Sequence, residues 1–247
     1  MLELIDATRC YGQKLAVDGL NLTIPPGELF AFLGPNGAGK TTTIKMLVGL
    51  LRPTRGQARI CGFDATRQPR EASLRTGYVP DEPYLYDKLT GREFLQFVAE
   101  LYGLPASTIA DRIEQQIERF RLREFVDHLG ESYSHGMKQR LVFAAAFVHD
   151  PPVLVVDEPM VGLDPRSMRL VKDLLREQTR AGKSVFMSTH TLAVAEEIAD
   201  RIGVFARGRL VFLGTVAELR QQLSSNASLE HLFLTLTDED SADVSRS

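Results

Sequence analysis

A chain of 247 residues with 44% hydrophobic content can bury a substantial core, either as one large domain or as a domain carrying an inserted lobe. Its net charge of −3 comes from mixed charges, which gives no argument for broad nucleic-acid binding. The longest fully apolar run, residues 141–148, is too short to span a bilayer, and the opening MLELIDATRC lacks a basic region followed by an apolar one. Cys10 and Cys61 form no C-x-x-C pair, so the expectation is a soluble chain that is not exported and keeps two reduced thiols.

Residues 2–6 and 20–24 alternate apolar and polar side chains, as half-exposed strands do, and Pro25, Pro26 and Gly27 break the second. Leu29–Leu33 is almost continuously apolar, the texture of a strand covered on both faces. Next comes GPNGAGKTT: Gly34, Pro35, Asn36, Gly37, Ala38, Gly39, Lys40, Thr41 and Thr42. It matches the phosphate-loop pattern G-x-x-x-x-G-K-[ST] at every fixed position, and a helix is predicted over 42–51. A strand that delivers such a loop and a helix that follows it aim unpaired amides and a helix dipole at an anion. Lys40 is then placed to bridge β- and γ-phosphates, and Thr41 to ligate Mg²⁺. A chance match is expected roughly once in a hundred chains of this length, and the strand-then-helix setting lowers that further.

Short strands are predicted near 57–61 and 77–80, after which the texture turns helical. Thr90 and Glu93 form a capping box, and Gly103 with Pro105 ends the helix that they start. Ile109, Ile113, Ile117 and Phe120 recur at helical spacing, and a third helix is predicted over 137–148, opened by Gly136. Residues 88–150 thus read as a helical lobe inserted into a sheet domain. Parallel-sheet texture returns with Val153–Val156, which leads into Asp157 and Glu158. Asp164 and Pro165 open another helix, stopped at Gly182. Ser184–Thr189 is a strand ending at His190, and a helix is predicted over 191–200. Strands at 202–205 and 210–213 flank an Arg207-Gly208 turn, and Thr215 with Glu218 caps a further helix. The last stretch, 237–247, is acidic and has no aromatic residue, so no order is expected of it.

An aspartate at the end of a buried strand beside a phosphate loop is placed to hold Mg²⁺, so Asp157 is the second metal candidate. Glu158, one residue further, is re-aimed away from the metal toward a water and is the candidate general base. An acidic pair at a strand end is commonly only solvated surface, but following a phosphate loop at this distance that reading falls to about one in ten.

On these residues the chain resembles the ATP-binding cassette ATPases, the motor subunits of membrane transporters. The resemblance extends over residues 2–236 as one ATPase domain. It implies an α/β P-loop NTPase fold with a RecA-like, mostly parallel sheet core, an N-terminal antiparallel β subdomain and an inserted α-helical lobe. It also implies ATP and Mg²⁺ as ligands, with each ATP sandwiched between the P-loop of one subunit and a signature segment of another. The signature position here is Tyr133-Ser134-His135-Gly136-Met137, in which Ser134 and Gly136 match the family's Leu-Ser-Gly-Gly-Gln. Gly162-Leu163-Asp164-Pro165 matches the D-loop, His190 the switch histidine and Tyr11 the aromatic that stacks on adenine. Asp81 stands where the family usually carries a metal-reaching glutamine, and it is expected to be a metal-linked coupling residue.

The stretch SLEHLFLTLT, 228–237, resembles the C-terminal end of exporter-type cassettes. The expected protein is therefore an ATPase powering export, as a homodimer or a heterodimer with a related cassette. It would bind integral membrane permease subunits, lie cytoplasmic and peripheral on the inner face of the cell membrane, and bind no nucleic acid. A GTPase is disfavoured because no N-K-x-D segment occurs. Cassette ATPases that act on ribosomes or DNA usually carry two cassettes, a long coiled coil or a basic arm, none of which is visible here.

Overall fold

The computed structural model describes residues 1–221, so the segment 228–237 and the acidic stretch 237–247 lie outside the described residues. The chain opens with a hairpin of β1 (Leu2–Tyr11) and β2 (Lys14–Ile24). β3 (Leu29–Leu33) then leaves for a second sheet, while β4 (Arg55–Ile60) returns to pair with β1 and the short β5 (Phe63–Asp64) pairs with β4. The result is a four-stranded antiparallel sheet in the order β2-β1-β4-β5.

The second sheet adds β6 (Thr76–Val79), β7 (Val153–Val156), β8 (Ser184–Thr189), β9 (Arg201–Ala206) and β10 (Arg209–Gly214) to β3. Its order is β10-β9-β3-β8-β7-β6, and every pairing is parallel except that of β10 with β9. That exception is the Arg207-Gly208 hairpin, whose φ values of +49° and +81° suit a tight turn with both central residues left-handed.

Alternation along the central strand divides the core. Leu29, Ala31 and Leu33 point to one face, where they join the apolar sides of the helices, while Phe30 and Phe32 point to the antiparallel sheet. On that second face the Phe32 ring meets Phe186 at 5.3 Å and Phe205 at 4.7 Å, fixing β3 against β8 and β9. The helices are α1 (Lys40–Leu47), α2 (Pro69–Ser73), α3 (Gly91–Leu101), α4 (Ala106–Arg119), α5 (His135–Phe147), α6 (Pro165–Arg180), α7 (Leu192–Ile198) and α8 (Val216–Gln221).

Between β6 and β7 the chain makes α3, α4 and α5, the expected helical lobe. Its apolar side chains, Leu95, Ile113, Ile117 and Phe143 among them, share one cluster with Leu154 and Val156 of the sheet. The Thr90–Glu93 capping box forms, and the Tyr133 hydroxyl accepts from Gly91 N at 3.1 Å and donates to Phe125 O at 2.7 Å. That tie holds the start of α3 to the turn that precedes α5.

Some boundaries differ from the sequence reading for identifiable reasons. β1 and β2 are far longer than 2–6 and 20–24 because register shifts break the alternation beyond Leu4, where Asp6 and Gly19 take φ values of +48° and +57°. α1 starts at Lys40 rather than 42 and ends before Gly49, whose φ of +76° terminates it. α5 starts at His135, so Gly136 lies inside its first turn and does not open it; Ser134 is the cap. β5 and α2 were not expected at all, being too short to show a period.

Candidate active site

A cleft of about 450 Å³ opens at the carboxyl end of β3. Its walls come from the β1–β2 hairpin (Tyr11, Lys14, Ala16), from the loop and first turn of α1 (Pro35, Asn36, Gly37, Gly39, Lys40, Thr41, Thr42), and from the residues beyond β6 and β7 (Asp81, Glu158). Gly34 and Ala38, the remaining loop residues, are buried beneath it. Parallel strands end on this side, where open α/β sheets place ligands.

The loop conformation depends on Gly39. Its φ is +112°, and a Cβ there would stand 2.3 Å from Ala16 O, so no larger residue fits. Gly39 also serves as N-cap of α1 without supplying a side-chain acceptor, which leaves the first amides of that helix facing the cleft for an anion. Lys40 is only 6% exposed; its Nζ donates to Gly34 O at 2.6 Å and Pro35 O at 3.2 Å and lies 3.4 Å from Glu158 Oε1. The ammonium is thus presented at the place where phosphate charge would gather.

Asp157 directly follows β7 and is buried. Burial pushes its carboxyl group above the usual range, Asp81 and Glu158 push the same way, and the Ser188 hydrogen bond together with the nearby Thr41 hydroxyl pulls it back. Ser188 Oγ donates to Asp157 Oδ1 at 2.5 Å, whereas Asp157 Oδ2 is buried with no hydrogen-bond partner. An orphaned carboxylate oxygen next to the Thr41 hydroxyl is a hard-oxygen donor set that fits a divalent cation. Asp81 is exposed on the cleft wall and accepts from Glu82 N at 2.9 Å. Together with burial, the charges of Asp157 and Asp81 push the neighbouring Tyr78 hydroxyl up to about 12.

Glu158 takes a φ of +46°, uncommon for a side chain of its size, which turns it away from Asp157. Its Oε2 lies 2.9 Å from His190 Nδ1 and accepts from His190 N at 3.3 Å. Glu158 therefore sits between the Lys40 ammonium and the His190 ring, with its backbone amide donating to Ser188 Oγ at 3.0 Å. Tyr11 is 47% exposed at the hairpin tip, and the Arg9 guanidinium lies 4.8 Å from its ring centroid.

The signature and D-loop residues are elsewhere. Ser134 caps α5 by accepting from Met137 N at 3.3 Å, and neither it nor Gly136 lines the cleft. Asp164 caps α6, accepting from Arg166 N at 2.9 Å, Ser167 N at 3.1 Å and Ser167 Oγ at 2.6 Å; these bonds hold its carboxyl group below the usual range. The two segments adjoin each other, since a Cβ on Gly162 would come within 3.0 Å of His135 Cδ2. The fold thus gathers the P-loop, Tyr11, Asp81, Asp157, Glu158 and His190 around one cleft and leaves Ser134, Gly136 and Asp164 on a separate exposed surface.

Three residues of the site escaped the sequence reading: Lys14, Ala16 and Ser188. Ser188 carries a usable signal, a serine following the apolar run of Val185, Phe186 and Met187, two positions before His190.

The family model described as ABC transporter matches residues 17–161. The daunorubicin/doxorubicin resistance ATP-binding protein DrrA of Streptomyces peucetius is 40% identical over 91% of this chain and 68% of its own length. The Nod factor export ATP-binding protein I of Paraburkholderia xenovorans (strain LB400) is 38% identical over 88% of this chain and 72% of its own. A solved ATP-binding subunit of an ABC transporter superposes with a TM-score of 0.89 at 34% identity, covering 96% of this chain and 99% of that one. A bacterial ABC transporter cassette solved as a dimer gives a TM-score of 0.78 at 25% identity, covering 87% and 99%. The chain belongs to the ABC transporter family, as one of its ATP-binding ATPase subunits.

Proposed function

We propose that this chain powers export through separate membrane subunits, and that it does so as one half of a cassette dimer. The observation that carries the reading is the division of the site: Glu158 is held between Lys40 and His190 at the P-loop cleft, while Ser134 and Gly136 face outward on another surface. A second copy, or a related cassette, would bring its own signature segment over the cleft and complete the cage around the nucleotide. The dimeric relative supports that arrangement.

Within the cleft the P-loop amides and Lys40 hold the phosphates, and Tyr11 stacks on the base. Thr41 and Asp157 would hold Mg²⁺, with Asp81 beside them, and the cation would supply positive charge against the phosphates. Glu158 accepts the proton of the attacking water, and His190 holds Glu158 in place and reaches toward the γ-phosphate. Asp164 orders the D-loop from which each protomer senses the other.

No helix among the described residues is long and apolar enough to cross a membrane. Beyond Asp81 the exposed ring of Tyr84 meets Tyr86 edge-on at 6.1 Å, and Tyr86 in turn meets Phe97 of α3 edge-on at 5.7 Å. That aromatic patch is the surface on which we place the membrane subunits, at the cytoplasmic face. Similarity to a protein named for Nod factor export supports the outward direction.

The test is Glu158→Gln. It is expected to bind ATP and to accumulate as a nucleotide-bound dimer in analytical centrifugation, with turnover at least about a hundredfold below the parent. Turnover at the parent rate would remove the general-base role, and monomers alone under saturating Mg-ATP, with membrane subunits supplied, would remove the dimer.

A further inference from the structure

Ser188 lies in β8 after the apolar residues Val185, Phe186 and Met187, and it is completely buried. A hydroxyl in such a place is costly unless its hydrogen-bonding capacity is used. Here it is used twice and in opposite senses. Its single hydrogen goes to Asp157 Oδ1 at 2.5 Å, and its oxygen accepts from the backbone amide of Glu158 at 3.0 Å. One hydroxyl thus grips two consecutive residues, the first by its side chain and the second by its main chain.

The two grips have different consequences. With Oδ1 engaged, the Asp157 carboxylate cannot rotate freely, and its other oxygen, Oδ2, stays buried and unpartnered, the free donor of the site. The bond to the Glu158 amide pins the residue at its left-handed φ of +46°, the conformation that sends its side chain to Lys40 and His190 instead of back beside Asp157. β7 and β8 are parallel neighbours, with Val156 opposite Met187, so the grip also ties together the strand ends that carry Glu158 and His190.

We infer that Ser188 is the positioning residue of this site, holding Asp157 for the divalent cation through one hydrogen bond and Glu158 for the water through the other. The inference rests on the roles proposed above for Asp157 and Glu158. Groups that orient metal ligands from behind are worth about 10–100-fold in metal affinity or activity. Losing the hydroxyl should therefore weaken the response to Mg²⁺ while leaving the P-loop intact.

The experiment uses the full chain and a fluorescent ATP analogue, bound first in EDTA and then over a Mg²⁺ titration, for the parent, Ser188→Ala, Ser188→Thr and Asp157→Asn. Ser188→Ala is expected to keep the metal-free affinity but to need about tenfold more Mg²⁺ for half of the metal-dependent gain. Ser188→Thr keeps the hydroxyl and is expected to follow the parent. Ser188→Ala with the parent's Mg²⁺ dependence overturns the inference, and so does a loss of its metal-free binding, which would mark a merely structural role. Asp157→Asn separates the two levels of the argument. If it responds to Mg²⁺ as the parent does, the metal role of Asp157 falls and the inference with it; if it no longer responds while Ser188→Ala is unchanged, the inference falls alone.

Discussion

Lys40 shows how a charge is stored before its ligand arrives. A buried ammonium is tolerated only if it is paired, and here the Gly34 and Pro35 carbonyls and the Glu158 carboxylate share it. Phosphate oxygens entering the cleft replace partners that are already in place, so little reorganisation is needed. Charge-assisted hydrogen bonds of this kind are worth about 1.5–3 kcal/mol, so Lys40→Ala should raise the nucleotide Kd at least about tenfold, as read by titration calorimetry. An affinity within twofold of the parent would mean that the loop amides alone do the binding. Asp81 is a contrasting case, exposed at the rim with its carboxylate turned to its own loop. Asp81→Ala should leave nucleotide affinity nearly unchanged yet lower the ATPase rate measured with membrane subunits several-fold, because the residue lies between the proposed cation ligands and the aromatic patch. Equal coupled and uncoupled losses would deny it that place.

At the scale of single elements, the P-loop illustrates how neighbouring chain segments dictate a backbone. Gly37 and Gly39 both take positive φ, +81° and +112°, but only Gly39 is hemmed in: a Cβ would lie 2.3 Å from Ala16 O and 2.9 Å from Phe205 Cε1, whereas nothing stands within 4 Å of one on Gly37. Gly37→Ala should therefore cost only the backbone term of roughly 1–2 kcal/mol, and Gly39→Ala that plus an overpacking term of about 1–3 kcal/mol. Urea unfolding of the two variants checks the ranking, and equal losses would show that the hairpin does not press on the loop. The same contrast between local and imported constraint decides what the sequence reveals. Strands built on an apolar run, Leu29–Leu33, Val153–Val156 and Ser184–Thr189 with Val185, Phe186 and Met187 at its centre, are legible because their burial is uniform. The caps at Thr90, Asp164 and Thr215 are legible because side chain and amide lie within a few residues of each other. The hairpin of β1 and β2 is legible only in part, since each bulge shifts which residues face the core. Ser188 is not legible in its role because its two partners, Asp157 and Glu158, follow another strand and lie 31 and 30 residues away in the chain.

For the molecule as a whole, the helical lobe must be joined to the sheet firmly enough to transmit a movement, and one joint is aromatic. Tyr102, just after α3, stacks flat on His149, just after α5, with ring centroids 3.6 Å apart and planes within 7°, while the Tyr102 hydroxyl reaches Thr76 O, at the start of β6, at 3.4 Å. Both lobe helices thus end at the same point of the sheet. Burial at this joint disfavours the imidazolium and pushes His149 down to about 4 from an ordinary value of 6.5. The sign of the consequence follows from which state takes up the proton first. Above pH 6.5 the imidazole is neutral whether the chain is folded or not, and the joint keeps its full stability. As pH falls from 6.5 toward 4, the unfolded chain binds the proton and the folded chain resists it, so unfolding becomes easier at a rate of up to about 1.4 kcal/mol per pH unit. His149→Phe keeps a ring against Tyr102 but has no proton to bind. Urea unfolding from pH 7 to 4 should therefore show a shallower loss of stability for this variant than for the parent, the two curves coinciding near pH 7 and separating toward the acid end if the new ring packs as well. Parallel curves across that window would mean that the imidazole takes up its proton as readily in the folded chain as in the unfolded one, so that burial at the joint does not hold it neutral.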